Sequence, residues 1–345
     1  MTSKIIHIFN PEADYSLAEF RAGYTPPASV IKLRRSLAHT PLRYADPEND
    51  IVLLLDEIDS TELYTKLSPT CDSSTRLPEI IPPSGHTDFF RRISRDASIF
   101  EIRPWGWTPD LRHILKSAGA PEELLPDDTV LINIRRLAHR TQTIRFNAYL
   151  NDSLLAEGIS HRNISPIPVE IKSLEEGMDF IGVHKDVFFK YPWSSSGRGI
   201  LHVDESASLC KVEKWIAGGL RRQGSLLAET TFDKTIDFAT EWHLSNGTPE
   251  FLGLSVFNAD INGNYMNNTI APQKQLRNKI QSVCPEFNEN YIRAQSEAIE
   301  RITNGYTGYL GIDMMGGADG STRGCVELNF RMTMGIAALL EESKL

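Results

Sequence analysis

"YLGIDMMGGADGSTRGCVELNFR", residues 309–331, decides how this chain is read. Two strand-like runs, 309–315 and 325–331, flank a polar segment containing Asp319-Gly320, a dipeptide suited to a tight reversal. If the hairpin closes about Gly320, Asp313 lies directly opposite Glu327. Side chains alternate faces along a strand. Leu310, Ile312 and Met314 then share one face with Val326, Leu328 and Phe330. Asp313 shares the other with Glu327, Asn329 and Arg331. Directly opposed side chains sit about 5 Å apart, and two carboxylates at that spacing repel unless a cation joins them. A divalent ion with hard oxygen ligands, such as magnesium, joins them. The alternative is a solvated polar face on which Arg331 offsets the charge.

Upstream, from about residue 160, "VFFKYP", "SLLAETTF", "IDFATEWHLS" and "PEFLGLSVFNA" read as further strands. Asn246-Gly247 and Asn262-Gly263 supply hairpin turns. Helices are expected around "SLCKVEKWIAGGLRRQ" and "NENYIRAQSEAIERITNG". The C-terminal half is therefore predicted as α+β, antiparallel sheet with helices packed on it. Nearer the N-terminus, the strands "KIIHIF" and "DIVLLLD" alternate with the helical pattern "ASVIKLRRSLAH", predicting an open α/β unit. The boundary is placed near residues 130–150.

A chain of 345 residues implies two or three structural units. Its 41% hydrophobic and 23% charged content is that of a globular protein. A net charge of −9 argues against non-specific nucleic-acid binding, which runs on phosphate neutralisation. A local basic pocket for a small anion is compatible with it. Cys71, Cys210, Cys284 and Cys325 are scattered, with no CxxC or Cys/His cluster, and read as reduced thiols of a cytoplasmic protein. The apolar run in "MTSKIIHIF" is too short for a signal peptide, and none reaches the length of a membrane span. Neither nucleic acid nor membrane is expected as a partner. A homo-oligomer stays open, as does a further segment after "MGIAALLEESKL".

Three more constellations bear chemistry. In "VFFKYPWSSSGRGI", residues 187–200, Lys190 ends a buried-looking run and a Ser/Gly loop follows. Backbone N–H groups of such a loop can converge on an anion, and Lys190 adds a point charge. A Walker loop and a GxGxxG fingerprint are both absent; read alone, the segment fits a flexible turn as well as a phosphate cradle. In "LLAETTFDKTIDFATEW", Glu229 ends one strand and Asp237 opens the next, an arrangement that holds ribose hydroxyls or leaves two solvated acids. Asn10, Glu12 and Asp14 follow the first strand, where open α/β sheets place ligands. They could recognise an amine; equally, Asn10 or Asp14 could cap a helix. Trp105 and Trp107 of "PWGW" read as an aromatic wall or as packing.

In order, a lysine strand with its Ser/Gly loop, a strand ending in Glu with a downstream acid, and Asp opposite Glu-x-Asn resemble the ATP-grasp superfamily. "LGIDMM…DG…VELNFRMTMG" is similar to the metal-binding end of its carboxylate–amine ligases. "IFNPEADYSLA", "GYTPP" and "IRPWGW" resemble an uncharacterised bacterial group within it. The resemblance spans about residues 130–336. It implies an N-terminal α/β pre-ATP-grasp-like domain over 1–135, a small subdomain over 136–240 and a large one over 241–345. The two subdomains, antiparallel-sheet α+β, would sandwich ATP. It implies that Lys190 contacts phosphates, that Ser194, Ser195, Ser196, Gly197, Arg198 and Gly199 form a lid, and that Glu229 and Asp237 meet adenine and ribose. Asp313, Glu327 and Asn329 would hold Mg2+. Arg140 stands nearest the position where members carry a lysine contacting ATP. Arg331 resembles an arginine that faces phosphate or the bound carboxylate, and is a catalytic candidate with Lys190. Gly311 stands where some peptide-ligase members carry an arginine.

The activity so implied is an ADP-forming ligase. A carboxylate attacks the γ-phosphate of Mg-ATP, and an amine, or alternatively a thiol, displaces phosphate from the acyl phosphate. Such chemistry asks for positioning and charge neutralisation rather than a nucleophile. The alternatives are a non-catalytic nucleotide-binding or regulatory module, and a small-molecule phosphotransferase on the same scaffold.

Overall fold

A computed structural model of the chain describes residues 4–67, 76–96, 98, 100–194, 199–259 and 265–343. It divides into two units, residues 1–134 with 337–345, and residues 135–336.

The first unit is built on a parallel sheet of β1 (Lys4–Ile8), β2 (Ile51–Leu53), β3 (Glu79–Ile81) and β4 (Phe100–Pro104) in the order β3-β2-β1-β4. Short apolar strands such as "IVL" bury every residue, as parallel strands covered by helices must. Helices such as His86–Ile93 and Pro109–Ser117 supply the cover, with Phe90 and Leu115 fully buried among the strand residues. Thr108 caps the second of these by accepting from the Leu111 N–H.

Neither helix-cap reading near the N-terminus holds. The helix Ala13–Glu19 begins after Glu12 with no side-chain cap. Asn10 instead bonds the backbone of Gly106 twice, donating to its carbonyl at 2.7 Å and accepting from its N–H at 3.2 Å. This ties the end of β1 to the end of β4. Trp105 packs edge-on against Phe9, so its role is packing.

The second unit holds two antiparallel sheets. The smaller has β5 (Val169–Ile171), β6 (Val187–Lys190), β7 (Ile200–Val203) and β8 (Leu226–Thr230) in the order β5-β8-β6-β7. Val187, Phe189 and Ala228 face the helices Leu174–His184 and Leu209–Gln223. Alternation then turns Phe188, Lys190 and Glu229 to the other face.

The larger sheet has β9 (Lys234–Ser245), β10 (Thr248–Ala259), β11 (Tyr265–Asn268), β12 (Gly308–Gly317) and β13 (Thr322–Asn329) in the order β11-β10-β9-β12-β13. Residues 240 and 241 are neighbours within β9. Asn246 and Gly247 both take positive φ, as a two-residue hairpin turn requires; Asn262-Gly263 lies outside the described residues. Phe238, Trp242, Leu310, Ile312 and Met314 are at most 1% exposed. Each contributes roughly 1.5–3 kcal/mol by leaving water. The helices Gln142–Ala156, Gln273–Val283 and Glu289–Thr303 pack against this sheet. No described helix is long and apolar enough to cross a membrane.

The hairpin register follows the Gly320 closure at Gly311–Asn329, Ile312–Leu328 and Asp313–Glu327. Beyond Asp313 it changes, and Met315 pairs with Arg323. Extra residues on β13 form a bulge, which breaks the strict alternation of faces. Val326, expected on the apolar face, lines a cavity together with Glu327 for that reason.

Candidate active site

Within the second unit, a cavity of about 400 Å3 is lined by residues of both sheets. β6 and β8 bring Lys190 and Glu229, β9 brings Asp237, and the hairpin brings Asp313 and Glu327. Five of the residues singled out in the sequence thus meet in one cavity.

The cavity face of the larger sheet carries its chemistry in three rows. Asp237, Met315 and Arg323 form one; Ala239, Asp313 and Glu327 the next; Glu241, Gly311 and Asn329 the third. Pairing sets these rows, because partners across neighbouring strands share a face.

Asp313 and Glu327 sit directly opposed. Burial pushes the Asp313 carboxyl up to about 8, and the Glu327 and Glu241 carboxylates add to the rise. The Asn329 amide donates to Asp313 at 3.2 Å, and Arg140 donates to Glu327 at 2.6 Å. Arg140 is only 4% exposed. It also donates to the Tyr191 carbonyl at 2.9 Å and to both oxygens of Ser194. The cation beside Glu327 is therefore Arg140, not Arg331. Arg331 instead donates to Asn329 Oδ1 at 3.1 Å and to the Met332 carbonyl at 2.9 Å.

Lys190, 5% exposed, is ion-paired with Glu229. Lys234 pairs with Asp237 at 2.7 Å. Ser194 and Gly199 flank the Ser/Gly loop, whose base is closed by the Tyr191 N–H donating to the Gly199 carbonyl at 2.8 Å. Gly199 takes φ +75°, and a Cβ there would lie 2.8 Å from the Tyr191 ring, so only glycine fits. Ser195, Ser196, Gly197 and Arg198 lie outside the described residues. Asn10, Glu12 and Asp14 belong to the first unit. There Glu12 is held by Arg34 at 2.5 Å, and Arg34 also grips Asp56 through two nitrogens.

Two side chains of this face escaped the sequence reading. Arg323 lines the cavity. Glu241, 2% exposed, accepts from Ser255 at 2.8 Å and from Thr333 at 3.0 Å. The signal for Glu241 was present, since it lies four residues after Asp237 in one strand and so on the same face. It also accounts for Gly311. A Cβ there would meet Thr333 at 2.7 Å and Glu241 at 2.8 Å, leaving no room for an arginine.

Burial lifts the Glu241 carboxyl to about 7, against the pull of Ser255, Thr333 and Arg331. The folded protein then holds this proton more tightly than the open chain, so stability falls as pH rises from about 4.5 to 7. Ionising Glu241 in the folded state costs about 3 kcal/mol. Glu241→Gln is expected to flatten that part of the slope when melting temperature is followed against pH. Equal slopes for variant and wild type would show that Glu241 titrates normally.

The donor set suits a divalent ion. Asp313, Glu327 and Asn329 present hard oxygens, and the raised Asp313 marks a carboxyl short of positive charge. Among the described residues no cluster of three His, Cys, Asp or Glu side chains gathers.

No protein-family model and no curated protein matches the chain. Solved structures do. The biotin carboxylase–β,γ-ATP complex of Campylobacter jejuni matches with a TM-score of 0.54 at 12% identity, over 99% of this chain and 70% of that one. This chain has the ATP-grasp fold. Other structures of that fold agree. The biotin carboxylase domain of Hydrogenobacter thermophilus 2-oxoglutarate carboxylase, in complex with MgADP, ADP and bicarbonate, matches with a TM-score of 0.51 at 12% identity, over 99% and 69% of the two chains. The VanG D-Ala:D-Ser ligase of Enterococcus faecalis matches with a TM-score of 0.50 at 13% identity, over 99% and 98%. Likeness at such identities shows the ATP-grasp fold alone.

Proposed function

We propose that this protein is an ADP-forming ligase that joins a carboxylate to an amine at the expense of ATP. One observation carries the reading. A single cavity receives a lysine–glutamate pair from one sheet and opposed carboxylates from the other, one of them bonded by the Asn329 amide.

In this reading the nucleotide lies between the sheets. Lys190 donates to its phosphates, leaving Glu229 for the base end, and Asp237 accepts from the ribose hydroxyls. Asp313, Glu327 and Asn329 would hold magnesium, which supplies positive charge against the phosphates. Arg140 would exchange Glu327 for a phosphate oxygen. The substrate carboxylate attacks the γ-phosphorus and ADP leaves; the amine nitrogen then attacks the acyl carbon and inorganic phosphate leaves. Arg331, two residues past β13, holds the carboxylate or its phosphate. The Ser/Gly loop would exclude water, because an exposed acyl phosphate hydrolyses.

The test is an assay of ADP and phosphate across pooled carboxylates and amines. Phosphate release that requires both partners supports the ligase. A phosphorylated product without phosphate release would make the protein a phosphotransferase instead. Wild-type protein that fails to bind ATP in calorimetry would overturn the nucleotide reading altogether.

A further inference from the structure

Among the described residues, three Lys or Arg side chains line the cavity: Lys190, Lys234 and Arg323. The two lysines are ion-paired, to Glu229 and Asp237. Among the described residues Arg323 has no such partner. Its guanidinium lies over the Phe232 ring, 4.9 Å from the centroid, and its Nε is buried without a hydrogen bond. Burial pushes its pKa down, with Glu229 pulling the other way. A guanidinium N–H buried without an acceptor is costly to keep. A ligand that brings acceptors removes that cost.

Position says which part of a ligand. Arg323 pairs with Met315, and Met315 with Asp237, so the three stand in one row. With strands about 4.8 Å apart, Arg323 lies roughly 10 Å from Asp237 across the sheet. The Asp313 row is two residues along β12, or about 7 Å away. A nucleotide with its phosphates at the Asp313 row and its ribose at Asp237 lays its planar base over Met315. The far edge of that base then faces Arg323 and Phe232.

We infer that Arg323, held over Phe232, is a base-contacting residue that donates to a ring nitrogen of the bound purine. This rests on the reading of the cavity as a nucleoside triphosphate site. Arginine suits the task, being planar, donor-only and able to present an N–H while resting on an aromatic ring. Lysine offers the charge without the plane.

The test is calorimetric titration of wild type, Arg323→Ala and Arg323→Lys with MgATP and with MgCTP, alongside thermal melts. Arg323→Ala is expected to bind MgATP about tenfold more weakly or worse, and to narrow the preference for ATP over CTP. Arg323→Lys is expected to stay near the alanine variant. Neither variant should melt markedly below wild type, since no ion pair is lost. Unchanged ATP affinity in Arg323→Ala, an equal loss for both nucleotides, or rescue by lysine would overturn the inference, the last two by showing a charge effect on phosphate. Wild-type protein that binds neither nucleotide would instead overturn the reading it rests on.

Discussion

Glu327→Gln is expected to lower magnesium- and ATP-dependent turnover by at least about 100-fold, the scale of losing one preorganised electrostatic group. The same change strips Arg140 of its carboxylate, and Arg140 is 4% exposed. Breaking a buried pair from one side costs up to about 3–5 kcal/mol, less here because the Glu327 side chain is 22% exposed. Lost activity in this variant alone would therefore be ambiguous. Asp313→Asn resolves it, because its expected effects point in opposite directions. Asp313 is raised to about 8 by burial and by Glu327 and Glu241, so its ionised form costs stability as pH climbs from about 4 to 8. The asparagine variant is expected to melt higher than wild type in metal-free buffer at pH 8, by an amount on the order of a few kcal/mol, and still to be inactive. Magnesium with nucleotide should stabilise the wild type and not the variant. Near-normal turnover in either variant would sink the metal assignment.

Lys190→Ala is expected to weaken ATP binding by about 10- to 100-fold, the worth of a charge-assisted bond to phosphate. Lys190 is 5% exposed and ion-paired with Glu229, whose side chain is 21% exposed. Removing the lysine leaves Glu229 partly buried without its cation, so some loss of melting temperature accompanies the loss of affinity. Lys190→Ala combined with Glu229→Gln should recover stability without recovering ATP affinity. A single variant that loses its cooperative melt while binding ATP normally would make Lys190 structural.

How far the sequence could be read depended on the distance over which each feature is decided. The opposition of Asp313 and Glu327 was legible because a short turn and strict alternation fix a hairpin locally. The bulge that follows was not, and with it went the placing of Val326. Nothing in "GSTRGCVE" announces two strands of unequal length. The capping alternative for Asn10 failed for a related reason. Its partner, the backbone of Gly106, lies 96 residues away and is brought near by a parallel pairing.

Sequence by itself determined the classes of the two halves and the order of the lysine, the acids and the Asp/Glu-x-Asn hairpin, because periodicity and turn chemistry act over a few residues. Tertiary structure alone decided which charges meet. Arg140 reaches Glu327 across 187 positions. Glu241 becomes a buried acid because Gly311, Ser255 and Thr333 close around it. Among the described residues Arg323 goes without an acid, the lysines beside it taking Glu229 and Asp237. Electrostatic partners are chosen by packing between sheets, and no local pattern of residues encodes that choice.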